Sequence, residues 1–146
     1  MSNVIVIGAG AAGMMAAIAA SKSGHKVLLL EKNEKVGKKI YITGKGRCNV
    51  TNAGDMEDIR NHVISKPKFM YSAFDAFTNL DLMKLIEDEK IPLKVERGNR
   101  VFPVSDKSSD IIKALSDCMK RLGVEVKLKT PVKRLLVEGY TEEDNP

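Results

Sequence analysis

Two short unbroken apolar runs stand near the start of the chain, Val4–Ile7 and Val27–Leu30, with an alanine-rich stretch over residues 11–22 between them. Runs of that length, rich in Val, Ile and Leu and without polar alternation, predict strands buried in a parallel sheet. The alanine-rich stretch predicts a helix, because alanine costs least on entering one, and Gly24 stands where that helix would stop. Residues 3–31 therefore read as a β-α-β unit with a right-handed crossover. The alternation then breaks. Residues 33–54 are rich in Gly, Lys and Asn and predict an irregular excursion.

Helical periodicity dominates residues 55–122. Ser65 with Pro67 can open a helix on which Phe69, Met70, Ala73, Phe74 and Phe77 share one apolar face. Asn79 or Asp81 can cap a second helix, apolar at Leu82, Met83, Leu85 and Ile86. Ser105 or Asp106 can cap a third, apolar at Ile111, Ile112, Leu115, Met119 and Leu122, with Gly123 at its end. Within this stretch LKVERGNRVFP (93–103) predicts a hairpin turning at Gly98-Asn99. Over 124–137 the chain returns to strands, first VEVKLK and then, after Thr130-Pro131, VKRLLVEG. The fold class expected is α/β, a three-layer Rossmann-like parallel sheet with a helical excursion after its second strand.

Charge narrows the ligand only a little. The 146 residues carry 24 basic and 19 acidic side chains, a net charge of +5. That excess suits an anionic small molecule, and no long basic run interleaved with aromatics supports a nucleic-acid partner. Cys48 and Cys118 are too far apart for a CxxC site, and with His25 and His62 they make no metal-ligand cluster. No metal is expected, and a reducing, cytoplasmic setting is the default. Residues 4–20 are uncharged, yet no basic segment precedes them as a signal peptide requires, and glycines interrupt them. No membrane partner is expected.

The chemistry lies where the first strand meets the first helix. Gly8-Ala9-Gly10-Ala11-Ala12-Gly13 is GxGxxG in its full strand–turn–helix context. In such a turn Gly8 leaves the strand, Gly10 lets a pyrophosphate approach the backbone, and Gly13 lets helix and strand touch. The N–H groups at Ala11 and Ala12 open the helix and would face the phosphates. Glu31 closes the second strand, where an acid meets ribose hydroxyls and disfavours a 2′-phosphate. Lys32 adjoins it. Both FAD and NAD use this fingerprint.

The loop YITGKGRCNVTN (41–52) raises its own question. Lys39, Thr43, Gly44, Gly46 and Arg47 fall on the carboxyl edge of the sheet, where ligands bind in such folds. The glycines let the backbone approach an anion, and Arg47 has a planar fork for two oxygens. The spacing does not fit a Walker A loop. Asn49-Val50-Thr51 fits a glycosylation acceptor, but these polar side chains more simply bond the loop to itself. Cys48 reads as a packed thiol, with a cation-activated redox thiol as the alternative. Cys118 reads as core.

Taken together, VIVIGAGAAGMMAAIAASKSGHKVLLLEKNEKVGKKIYITGKGRCNVTN and the later RVFPVSDKSSDIIKAL resemble the bacterial NAD(P)/FAD-dependent oxidoreductase flavoproteins of the aminoacetone-oxidase and bile-acid-reductase types. The resemblance runs from residue 3 to about 137 and concerns the N-terminal part of such an enzyme. It implies a glutathione-reductase-type FAD domain and FAD as cofactor. It also implies hydride transfer through the flavin, with NAD(P)H as co-substrate and a small-molecule substrate in the longer parent. By the same resemblance Val132 lies along the adenine edge. No catalytic residue follows, and the chain alone is not expected to turn over substrate. Two other classes remain open: a non-catalytic nucleotide-binding module, and an RNA-modification flavoprotein, against which the TGKGRCNVTN loop is taken to argue.

Overall fold

The protein's structure, a computed structural model, describes residues 1–136. Strand β1 (Asn3–Ile7), helix α1 (Ala11–Lys22) and strand β2 (Lys26–Leu30) form the expected β-α-β unit. The strands are parallel, in register from Asn3↔Lys26 to Ile7↔Leu30. The excursion holds a short helix α2 (Lys38–Ile42), a 3-10 turn (Thr43–Gly46), strand β3 (Thr51–Asn52) and helix α3 (Met56–Asn61). A second 3-10 turn (Pro67–Met70) leads into α4 (Tyr71–Ala76) and α5 (Asn79–Asp88). Then come β4 (Leu93–Glu96), β5 (Arg100–Pro103), α6 (Ser108–Arg121) and β6 (Glu125–Lys127). Strand β6 returns to pair parallel with β2, so the main sheet has the order β1-β2-β6. A second, antiparallel sheet has the order β3-β5-β4.

The core sits on one face of the main sheet. Helix α1 presses Met14, Ala17 and Ile18 toward Val27 and Leu29, and α6 adds Ile111, Ala114, Leu115, Cys118 and Met119. Leu85 and Ile86 of α5 close the cluster. Truncating a fully buried residue such as Leu29 to alanine in a site of this kind costs about 2–5 kcal/mol. Cys118 is buried among these side chains, as its place on α6 predicts.

The hairpin falls where expected. Gly98 and Asn99 both take left-handed backbone angles (φ 74° and 56°). That is the geometry a tight antiparallel turn needs.

Several local expectations are corrected. β1 is not buried on both faces: Ile5 is 62% exposed and Ile7 also faces outward. Among the described residues the sheet is covered by helices on one side only, so the picture is two layers, not three. The helix after Ser65 breaks into a 3-10 turn and α4, and Phe69 stands 84% exposed. An amphipathic spacing predicts a buried face, but among the described residues Met70 and Phe74 are only half-buried and Phe69, Ala73 and Phe77 stay exposed. The cap of α5 is Thr78, one residue before the expected pair; its hydroxyl and the Asp81 carboxylate satisfy each other's backbone amides. Asn79 instead turns inward. Helix α6 has Lys107 at its N-cap position and no side-chain cap, because Asp106 is engaged in ion pairs and Ser105 donates to the Asp110 carboxylate. Residues 132–136 form no strand, and the rest of the VKRLLVEG expectation lies outside the described residues.

Candidate functional site

Strand β1 ends in a turn that only particular residues permit. Gly8 has φ 95°, a left-handed value that side chains rarely adopt. Its N–H donates to the Leu30 carbonyl at 2.7 Å, extending the β1–β2 ladder into the turn. At Gly13 a Cβ would stand 1.8 Å from the Gly8 carbonyl oxygen, so the helix can begin against the strand only if this residue has no side chain. At Gly10 the opposite holds: a Cβ would meet nothing within 4 Å. That side of the turn is open space. Helix α1 has Gly10 at its N-cap position and no side-chain cap, and no acidic residue lies in its first turn. Its first N–H groups and its positive dipole end therefore face a cavity able to receive an anion.

Glu31 is buried beside this turn. Its Oε2 accepts the Ala9 amide at 2.6 Å; its Oε1 accepts the Asn33 amide at 2.8 Å and the Asn33 side-chain amide at 2.6 Å. The Ala9 carbonyl in turn accepts the Gly37 amide at 2.8 Å, so the glycine loop is held from both sides. Burial acts to raise the Glu31 pKa. The hydrogen bonds from Ala9 and Asn33, with the nearby Lys32 charge, outweigh it, and the net shift is downward. The group is a carboxylate at neutral pH.

Two clefts meet at Gly8. The larger, of about 680 Å³, is lined by Gly8, Gly10, Ala11, Ala12 and Gly13 on one side and by Lys39, Thr43, Cys48, Asn49 and Val50 on another. Its floor is apolar, from Met15, Leu82, Ile86, Ile111 and Leu115. The smaller, of about 310 Å³, is lined by Gly8, Leu30, Glu31, Lys32, Asn33 and Thr130–Val132. The arrangement runs from a buried acid, past a helix N-terminus, to a basic and apolar chamber.

The structure thus brings most of the sequence-derived candidates together. Gly8, Gly10, Ala11, Ala12, Gly13, Lys39 and Thr43 line the larger cleft, and Glu31, Lys32 and Val132 the smaller. Gly46 and Arg47 line neither. Gly44 and Gly46 lie in the 3-10 turn, and the fork expected to hold two phosphate oxygens is engaged with Glu96 and Asp106.

Cys48 is buried and lines the larger cleft, and burial pushes its thiol pKa up. A thiol raised in this way is protonated at neutral pH, the opposite of an activated redox thiolate.

Sequence reading missed Asn33, whose two donors complete the Glu31 site; only its position two residues after the acid could have flagged it. It also missed Asn79, which is buried and donates to the Asn52 and Gly54 carbonyls at 2.8 and 2.9 Å, pinning the end of the basic loop to α5. Asn52 does bond its own loop, through Oδ1 to the Gly54 amide at 2.7 Å. Among the described residues no His/Cys/Asp/Glu cluster could hold a metal, and no helix is long and apolar enough to cross a membrane.

Comparison with known proteins places this geometry. The family described as HI0933-like protein Rossmann domain matches residues 2–143. Ribosomal RNA dihydrouridine synthase of Escherichia coli (strain K12) is 32% identical over 130 residues, covering 89% of this chain and 32% of that protein. The 3-dehydro-bile acid delta(4,6)-reductase of Clostridium scindens is 32% identical over 128 residues, covering 86% of this chain and 31% of that protein. Among solved structures, the open conformation of a flavocytochrome c3 fumarate reductase is 26% identical with a TM-score of 0.58, over 94% of this chain and 28% of that one. The chain spans about a third of the length of the curated relatives it matches. One of these relatives is named as a ribosomal RNA dihydrouridine synthase. The expectation of no nucleic-acid partner finds no support here.

Proposed function

We propose, for a chain that belongs to the HI0933-like Rossmann domain family, that it is the FAD-holding N-terminal part of a flavin-dependent oxidoreductase. The observation that carries this reading is the open side of Gly10 at the uncapped start of α1, between a cleft holding the buried Glu31 carboxylate and a larger basic and apolar one. A long anionic ligand with a sugar at one end and an aromatic ring system at the other fits that order of surfaces.

In this reading the amides of Ala11, Ala12 and Gly13 bind the pyrophosphate, and Lys39 adds a positive charge. Glu31 has three protein donors against about four acceptor positions, which leaves one for a ribose hydroxyl. Lys32 and the Val132 backbone border the adenosine. Bound FAD would supply hydride transfer. The protein's own residues bind and orient it, and the apolar floor of Met15, Leu82, Ile86, Ile111 and Leu115 excludes water from the ring. NAD(P)H is the proposed source of reducing equivalents, in a cytoplasmic enzyme.

For the substrate of the longer protein there are two readings. One is a small unsaturated molecule, as the bile-acid reductase relative suggests. The other is a base in RNA, favoured by the ribosomal RNA relative of equal identity. Reduction of an unsaturated group is the chemistry both relatives' names share. The test is direct. FAD added to the purified chain should perturb the flavin spectrum, and NADH or NADPH should bleach the flavin of the longer protein. RNA retention at moderate salt separates the two substrates. A spectrum identical to free FAD at every protein concentration would overturn the reading.

A further inference from the structure

Arg47 is flanked in sequence by residues that line the larger cleft, Ile40 and Thr43 before it and Cys48, Asn49 and Val50 after it, yet it does not line the cleft itself. Its guanidinium turns outward to the antiparallel sheet. Nη2 lies 2.5 Å from Glu96 in β4 and 2.6 Å from Asp106 just after β5, and Nε donates to Asp106 at 2.9 Å. The same group lies over the Phe102 ring in β5, 4.2 Å from its centroid. Lys94 completes the network, with Nζ 2.7 Å from Asp106 and 3.5 Å from Glu96.

One exposed ion pair would contribute little. Here a single planar fork meets two carboxylates and an aromatic face at once, which a lysine cannot reproduce. The segment it holds is in an unfavourable backbone shape. Lys45 and Cys48 have φ 55° and 60° without being glycine. Such residues persist only where their surroundings fix them. On the cleft side Cys48 packs with the core cluster; on the outer side the fixing groups are Glu96, Asp106 and Phe102.

We propose that Arg47, Lys94, Glu96 and Asp106 form a clasp that holds residues 43–50 as a wall of the cleft. Arg47 is then a positioning residue, acting on the ligand through Cys48, Asn49 and Val50. The consequence for FAD affinity rests on the function proposed above; the clasp itself is read without FAD.

The experiment measures the rate at which Cys48 is modified by a neutral maleimide in a Cys118→Ser chain, where it is the sole thiol. Releasing the clasp with Glu96→Gln/Asp106→Asn should raise that rate about tenfold or more, as local opening does for a buried group. Arg47→Lys should do nearly the same. Adding Arg47→Ala to the carboxylate pair should add little, since all act through one contact set. In a Cys48→Ser chain the same substitutions should leave the Cys118 rate unchanged, because that thiol is buried on α6 with Arg121 and Glu89 as its charged neighbours, neither of them part of the clasp. Unchanged Cys48 rates, or an equal rise at Cys118 reporting mere destabilisation, would overturn the clasp. FAD titration of the same variants separates the two proposals. A wild-type chain that binds no FAD sinks the function while the labelling rates still judge the clasp. FAD affinity lost in Arg47→Ala but kept in Glu96→Gln/Asp106→Asn would make Arg47 a ligand contact and end the positioning role.

Discussion

The Glu31 carboxylate accepts the backbone amide of Ala9 at 2.6 Å, so the acid at the end of β2 fixes the middle of the glycine turn after β1. The residue read from sequence as a ribose ligand is first a structural clamp. Glu31→Gln tests that role. A glutamine would turn an N–H group toward the Ala9 or Asn33 donors, and donor against donor leaves a buried amide unsatisfied. The expected cost is about 1–3 kcal/mol of stability in the absence of any ligand, read from the denaturant midpoint. A pure ribose ligand would leave the midpoint unchanged.

The same clamp has a pH dependence of defined sign. The folded-state pKa of Glu31 is lowered. Its contribution is therefore fully present above the ordinary carboxyl pKa and is lost as pH falls through the lowered, folded value. The stability gap between wild type and Glu31→Gln should be constant at neutral pH and shrink in acid. A gap that widens on acidification would contradict the assignment.

Gly10 and Gly13 should separate binding from folding. In Gly13→Ala the new methyl meets a backbone carbonyl that cannot turn aside, and the chain should lose about 3 kcal/mol of stability. Gly10→Ala meets nothing and should cost no more than about 1 kcal/mol, through its N-cap position. Its loss should appear instead in FAD affinity. Thermal melts and FAD titrations on both variants check the pair.

Asn79→Ala removes the two donors that hold the Asn52 and Gly54 carbonyls. The chain should lose about 1–3 kcal/mol. Amide exchange should speed up at residues 52–54, with α1 unaffected. Exchange that rises uniformly instead would mean the anchor is not local.

What the sequence discloses and what it hides differ by the range of the interaction. The β-α-β unit and the Gly98-Asn99 hairpin are legible because hydrophobic period and turn chemistry act within a few residues. The glycine turn is legible because each position has its own steric demand. Arg47 is not, since its partners Glu96 and Asp106 stand 49 and 59 residues away and no local pattern names them. Phe69 misleads for the converse reason: the amphipathic spacing is present but Phe69 stays exposed. The apolar floor of the larger cleft reads as ordinary core on α5 and α6, because a side chain facing a cavity and one facing a neighbour share the same periodicity.

The central claim is that FAD binds across the start of α1. Amide chemical shifts of the chain during an FAD titration test it most directly. The account predicts saturable shifts at Gly8 and at Gly10 through Gly13, with further shifts at Glu31, Lys32 and Val132. Those amides staying in place, with no shifts at all or with shifts confined to the outer face of the basic loop, would contradict it.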